Sequence, residues 1–180
     1  AGIAEGRSGT RGPENVWGSA LTAAVCAGAI ALLELAASPI QAERWIPLLA
    51  LAYVSSLSTK LSDTTASEIG KAYGQNTFLI TTLRPVAAGT EGAISVEGTL
   101  AGILGSAIIA LVGLGVGLIG PWGICLCLVS AFVATTVESL IGATLQTRLA
   151  WLTNEVVNSI NTTIGALVAI LLGLAGQLLA

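Results

Sequence analysis

A run of about twenty apolar residues is long enough to cross the hydrocarbon core of a bilayer as a helix, and this chain repeats that pattern along most of its length. Five windows meet it, at about 16–37, 43–61, 99–119, 121–142 and 160–179. The second has the shortest apolar stretch, Trp45 to Leu57, with Pro47 expected in its first turn and Glu43-Arg44-Trp45 at its interfacial end. Gly120-Pro121 separates the third and fourth, with Trp122 at the interface, which reads as a tight helical hairpin. Only 9% of the residues are charged, against roughly 25% in an average soluble domain. The expected fold is therefore all-α. It is a polytopic transmembrane helix bundle of about five spans, one domain over residues 1–180, with a polar helical or loop segment at 58–97 on one membrane side. The sequence contains no methionine, so residue 1 is not an initiator and further N-terminal spans are expected before it.

Charge and residue usage exclude several function classes. A net charge of −3 lacks the basic field of a nucleic-acid binder, and no nucleic-acid partner is expected. The absence of histidine removes the commonest general base and metal ligand. Cys26, Cys125 and Cys127 lie in apolar runs, where a thiol behaves as a small hydrophobe, so neither a disulfide framework nor a zinc site is expected. Chemistry is left to carboxylates, hydroxyls, amides and a few cations. Small residues recur within the spans, as in Gly98-x-x-x-Gly102, Gly113-x-x-x-Gly117 and the run 18–31, and they favour close helix packing.

Alternation of the spans puts Arg7, Arg11, Lys60, Lys71, Arg84 and Arg148 on one side and leaves Arg44 on the other. The same alternation gathers Asp63, Glu68, Glu91, Glu97 and Glu155 on the basic side. A single reaction surface there is the natural inference. Glu34, near the far end of the first span, is expected to pair or snorkel.

The polar segment carries the chemical signal. On a helix continuing out of the second span, Lys60, Thr64, Ser67, Glu68 and Lys71 share one face, and Asp63 flanks it. Carboxylates, hydroxyls and ammonium groups in that mixture suit a metal-bound polyphosphate. Mg²⁺ takes hard oxygen ligands and needs only one or two carboxylates beside phosphate oxygens. Gly70 and Gly74 would let backbone approach the phosphates. The competing reading is a solvated helix end with i,i+4 ion pairs.

Three more clusters join it. Glu97-Gly98-Thr99 opens the third span, where a helix N-terminus offers N–H groups to an anion, unless Ser95 caps it. Glu138, Gly142 and Gln146 form a polar stripe at the basic end of the fourth span. Asn154, Asn158 and Asn161, with Glu155 adjacent, recur at spacings of four and three on a helix leading into the fifth, facing either a ligand or another helix.

At these residues the chain resembles the integral membrane family that includes phytyl-phosphate kinase of plants and cyanobacteria. The resemblance rests on EGRSGTRGPENVWGSA (5–20), SSLSTKLSDTTASEIGKAYG (55–74), GTEGAISVEGTLAG (89–102), ESLIGATLQ (138–146) and LTNEVVNSINT (152–162). The central pair is also similar to the D-x-x-A-x-x-x-G-(R/K)-x-x-G and K-S-x-E-G-(S/T) motifs of CTP-dependent polyprenol and phytol kinases. Asp63, Ala66, Gly70, Lys71 and Gly74 satisfy the first, and Ser95, Glu97, Gly98 and Thr99 the second. Ile94 stands where that motif has lysine, and Glu138 stands where the family usually has aspartate.

The resemblance implies transfer of the γ-phosphoryl group of CTP to phytyl phosphate, giving phytyl diphosphate for tocopherol synthesis, in a plastid envelope, thylakoid or cyanobacterial membrane. For that activity Asp63 and Glu97 are expected to hold Mg²⁺, with Glu68 or Glu138 as further ligands, while Lys60, Lys71 and Arg84 neutralise phosphate charge. Thr64, Ser67, Asn154 and Asn158 would hydrogen-bond the nucleotide or the acceptor phosphate, with Gly70, Gly74, Gly98 and Thr99 lining their path. The implied partners are CTP, a prenyl phosphate and the bilayer; whether the chain forms a homo-oligomer is open. The rival readings are another CTP-dependent lipid-alcohol kinase, a lipid-phosphate cytidylyltransferase, a small transporter, and a non-catalytic subunit of a membrane complex.

Overall fold

The computed structural model describes residues 12–146 and 148–179. Arg7 and Arg11, with the first part of the 5–20 motif, lie outside them. Five long helices and one short hairpin follow in order: α1 (Pro13–Ala36), α2 (Pro39–Tyr73), β1 (Thr77–Leu79), β2 (Ala93–Ser95), α3 (Val96–Gly115), α4 (Pro121–Ile141) and α5 (Asn154–Leu179). Proline occupies the first turn of α1, α2 and α4, where its missing N–H has no intrahelical partner to lose. Gln41 reaches back to the Ser38 amide at 3.2 Å and closes the start of α2. The expected hairpin between the third and fourth spans is present. Gly117, at φ +77°, makes the turn and has open space around it.

Four helices among the described residues are long and apolar enough to cross a membrane: Pro13–Ala36, Val96–Gly115, Pro121–Gln146 and Asn154–Gln177. The second expected span differs from its sequence-based outline. Residues 43–61 and the polar stretch after them form one helix of 35 residues that starts at Pro39, so Pro47 falls inside it. At 1.5 Å per residue α2 is about 52 Å long, so its C-terminal turns extend past a hydrocarbon core of about 30 Å. It tolerates polarity because it packs against all four other helices. Ser55, Ser56, Ser58, Thr59 and Ser62 are buried along it, facing protein and not lipid. Ser55 donates to the Gly165 carbonyl of α5 at 3.0 Å, one of the bonds that replace lost water.

The α2–α3 seam is built on glycine. A Cβ on Gly98 would lie 2.6 Å from the Ala66 carbonyl oxygen, and one on Gly102 would lie 3.0 Å from the Ser62 hydroxyl. The two backbones approach as small-residue surfaces allow in lipid. Gly113 meets Val54 of α2, but Gly117 belongs to the turn, so only the first glycine of that pair packs a helix.

The hairpin was not expected from the sequence. Thr77 pairs with Ser95 and Leu79 with Ala93 in an antiparallel ribbon. Its long connection crosses the end of the bundle, and Gly92, at φ +75°, fits against Ser139 and Ala143 at the end of α4.

Candidate functional site

Alternating helix directions bring the start of α1, the end of α2, the start of α3, the end of α4 and the start of α5 to the same side. Between them and the β1–β2 connection lies a cavity of about 740 Å³. Lys60, Lys71 and the carboxylates Asp63, Glu68, Glu91, Glu138 and Glu155 border it, which agrees with the one-sided charge distribution read from the sequence.

Lys60 organises the centre. Its Nζ donates to Asp63 Oδ2 at 2.8 Å, one turn along α2, and to Asn158 Oδ1 of α5 at 2.8 Å. Both members of the ion pair are largely covered, at 16% and 15% side-chain exposure, so solvent screens them less than a surface pair. Ser67 donates to the other Asp63 oxygen at 3.5 Å. Glu138 approaches the same pair from α4, and its carboxyl has Asp63, Lys60 and Asn161 as neighbours. Asn161 donates its side-chain amide to Glu138. Three helices thus hold one lysine, two carboxyl groups and two amides in a single cluster.

Around it stand further expected residues. Thr64, Gly70 and Thr99 border the cavity, as does Gly98. Asn154 accepts from Gln146 at 2.6 Å, closing the α4–α5 corner where residues 142–146 wind as a π-helical turn. Such turns displace side chains from α-helical register.

Several expectations are redrawn. Glu97, expected beside Asp63, does not border the cavity: its carboxylate accepts from the Gln75 amide at 3.4 Å, and Glu138 stands beside Asp63 instead. The helix geometry explains this, because Gly98 must face α2 and the adjoining Glu97 is turned toward the end of that helix. Arg84 is exposed in the hairpin connection, and neither it nor Gly74 borders the cavity. Gly70 and Gly74 give their Cβ space to Ser95, and Gly70 also to Gly98, so close helix approach accounts for them. Ser95 caps α3 by accepting from Gly98 N at 3.1 Å, and the Thr99 hydroxyl donates to the Ser95 carbonyl at 2.8 Å. Of the N–H groups that open α3, that of Gly98 is thus taken by its own cap.

Oxygen donors of the kind a hard divalent cation takes stand together here. Asp63 and Glu138 offer adjacent carboxyl oxygens from two helices, enough for an ion that completes its shell with phosphate and water. Among the described residues no group of three metal-ligating side chains gathers. Asn161, noted in the sequence for its spacing, is the most deeply buried member of the cluster. It is 1% exposed with its Oδ1 unpartnered, and only its spacing from Asn158 marks it in the sequence.

This one-sided cluster in a small-residue helix bundle is joined by a sequence match: the family described as integral membrane protein DUF92 covers residues 1–166. The chain belongs to this family. The resemblance to an integral membrane family shared by plants and cyanobacteria is thereby borne out. The DUF92 relatives include an uncharacterized membrane protein, sll0875, of Synechocystis sp., 63% identical over 99% of this chain and 66% of its own. Protein VTE6, chloroplastic, of Arabidopsis thaliana is 46% identical over 95% of this chain and 50% of its own. An uncharacterized membrane protein of Methanocaldococcus jannaschii, MJ0933, is 40% identical over 68% of this chain and 50% of its own. The chain thus spans half to about two thirds of the length of these DUF92 relatives. No solved structure matches it.

Proposed function

We propose that this protein is a membrane-bound prenyl-phosphate kinase that transfers the γ-phosphoryl group of CTP to phytyl phosphate, giving phytyl diphosphate for tocopherol synthesis. The observation that carries the reading is Lys60 held between Asp63 and Asn158 with Glu138 alongside, at the membrane end of a polar cavity. The chloroplastic and cyanobacterial relatives support a plastid or cyanobacterial membrane as its location.

Phosphoryl transfer asks mainly for positioning and charge neutralisation. The acceptor is itself a phosphate, already nucleophilic, so the absence of histidine is no obstacle. Lys60 has three N–H donors, of which Asp63 and Asn158 engage two, leaving one for a phosphate oxygen. Lys71 adds positive charge nearer the aqueous mouth, and Thr64, Ser67 and Asn154 supply hydrogen bonds to nucleotide or acceptor. Asp63 and Glu138 would hold Mg²⁺, which when bound neutralises the nucleotide phosphates, and Glu68 borders the cavity apart from them. Asn161 keeps the Glu138 carboxyl turned toward that centre.

The test is product analysis with full-length protein in detergent, supplied with CTP, Mg²⁺ and phytyl monophosphate. CDP with phytyl diphosphate is expected. Pyrophosphate with a cytidylylated lipid would make the protein a cytidylyltransferase, and no turnover with any prenyl phosphate would remove the enzymatic reading.

A further inference from the structure

The cavity is not uniformly polar. Its mouth and centre hold Lys60, Asp63, Glu138 and Asn158, but it continues along α3 and α4 to Ile103, Ser106, Leu128 and Phe132. Leu128 precedes Glu138 by ten residues, which at 1.5 Å per residue is about 15 Å, or roughly half the hydrocarbon thickness. The hydroxyls on this wall bond back to their own helices. Thr135 donates to the Ala131 carbonyl at 2.9 Å, Thr136 to that of Phe132 at 2.7 Å, and Ser106 to that of Ile103 at 2.9 Å. With their hydrogens spent on their own helices, these three residues offer the inner part of the cavity chiefly methyl and methylene surface, beside the apolar side chains of Ile103, Leu128 and Phe132. Ile103 and Phe132 are 39% and 51% exposed, and both stand on helices long and apolar enough to cross a membrane, so this end of the cavity is not closed off by packed protein.

We propose that the α3–α4 end of the cavity holds the hydrocarbon chain of a lipid monophosphate, which passes sideways from the bilayer between these two helices while its phosphate stops at Lys60. The inference rests on the kinase reading for the place of the phosphate and adds the chain's path. Continuity decides the occupant. A polar chamber that turns apolar at membrane depth suits one amphiphile spanning both parts, with its headgroup reachable from water. The other apolar depression, between α1 and α2 at Leu32, Leu33, Trp45 and Leu49, lies toward the opposite end and shares no residue with the chamber.

The experiment is photo-crosslinking of full-length protein in lipid nanodiscs with a C20 prenyl monophosphate that carries a diazirine at the end of its tail, followed by peptide mapping. Label is expected on residues 103–106 and 128–136, displaced by excess unlabelled phytyl phosphate. Ile103→Trp and Ser106→Leu, which fill the channel from its two depths, are each expected to lower that label about tenfold. Should either variant fail to fold, the wild-type map alone decides. Label on Leu32, Leu33 or Leu49, or label between α3 and α4 that unlabelled phosphate leaves unchanged, overturns the proposal. The kinase reading fails separately, as absence of CDP formation in the same preparation, and that result does not change where the label lands.

Discussion

Lys60 sits between two different kinds of partner, and the difference sets what each substitution should do. Asp63 balances its charge, whereas Asn158 only orients it from another helix. Lys60→Met should cost on the order of 10²–10³ in turnover, the usual loss when one preorganised charge-stabilising group is removed. Asn158→Leu should act through Lys60 and lower turnover less, with binding of the acceptor little changed, a split that separate kcat and KM measurements reveal. Asn161→Leu removes the donor to a covered carboxyl and should destabilise the protein by about 1–3 kcal/mol, read as a lower Tm in detergent. Much of this cluster was legible beforehand, because Lys60, Asp63 and the asparagines at 154, 158 and 161 declare their faces by helical spacing. Glu138 entered the sequence reading as a companion of Asp63 only through the family resemblance, because helical spacing says nothing of residues 75 positions apart, which meet through the packing of α2 against α4. Glu97, marked by motif membership, accepts from the Gln75 backbone amide beside the end of α2, while its neighbour Gly98 packs against Ala66 of that helix.

At the level of elements, α2 explains why a helix with so many hydroxyl groups belongs in a membrane protein. Its polar middle is enclosed by neighbouring helices, and glycines on α3 let it approach closely. Gly98→Val should therefore separate the seam that carries the site. Overpacking of this kind costs about 1–3 kcal/mol, so both Tm and activity should fall. Gly115→Ala is the control, because nothing lies within 4 Å of its Cβ position, and its Tm should match that of the parent protein. Hydropathy found the apolar helices to within a few residues, since twenty-residue runs are hard to misread. It began α2 at 43 where the helix starts at Pro39, while the continuation of that helix past Lys60 was read from the spacing of its polar residues. The β1–β2 ribbon stayed invisible, as three-residue strands carry too little periodicity to distinguish them from loop.

For the whole molecule, the arrangement is a sided device: one end gathers the charged cluster, and the other presents Glu34, Glu43 and Arg44, the last stacked at 5.5 Å over Trp45. In a background with Cys26, Cys125 and Cys127 replaced by alanine, Glu43→Cys and Thr90→Cys should react with a membrane-impermeant maleimide from opposite faces of sealed vesicles. Reaction of both from one face would contradict the alternating path of the helices. The one-sidedness was legible from Lys and Arg positions alone; the cavity was not, because its walls come from all five helices and the hairpin connection. The most direct test of the central claim follows CTP labelled in its γ-phosphate, with phytyl phosphate as acceptor, comparing the full-length wild type with Asp63→Asn at matched Tm. Label in phytyl diphosphate from the wild type, reduced at least about 100-fold in the variant, is the expected result. Equal labelling by the two proteins, or none by either, would contradict it.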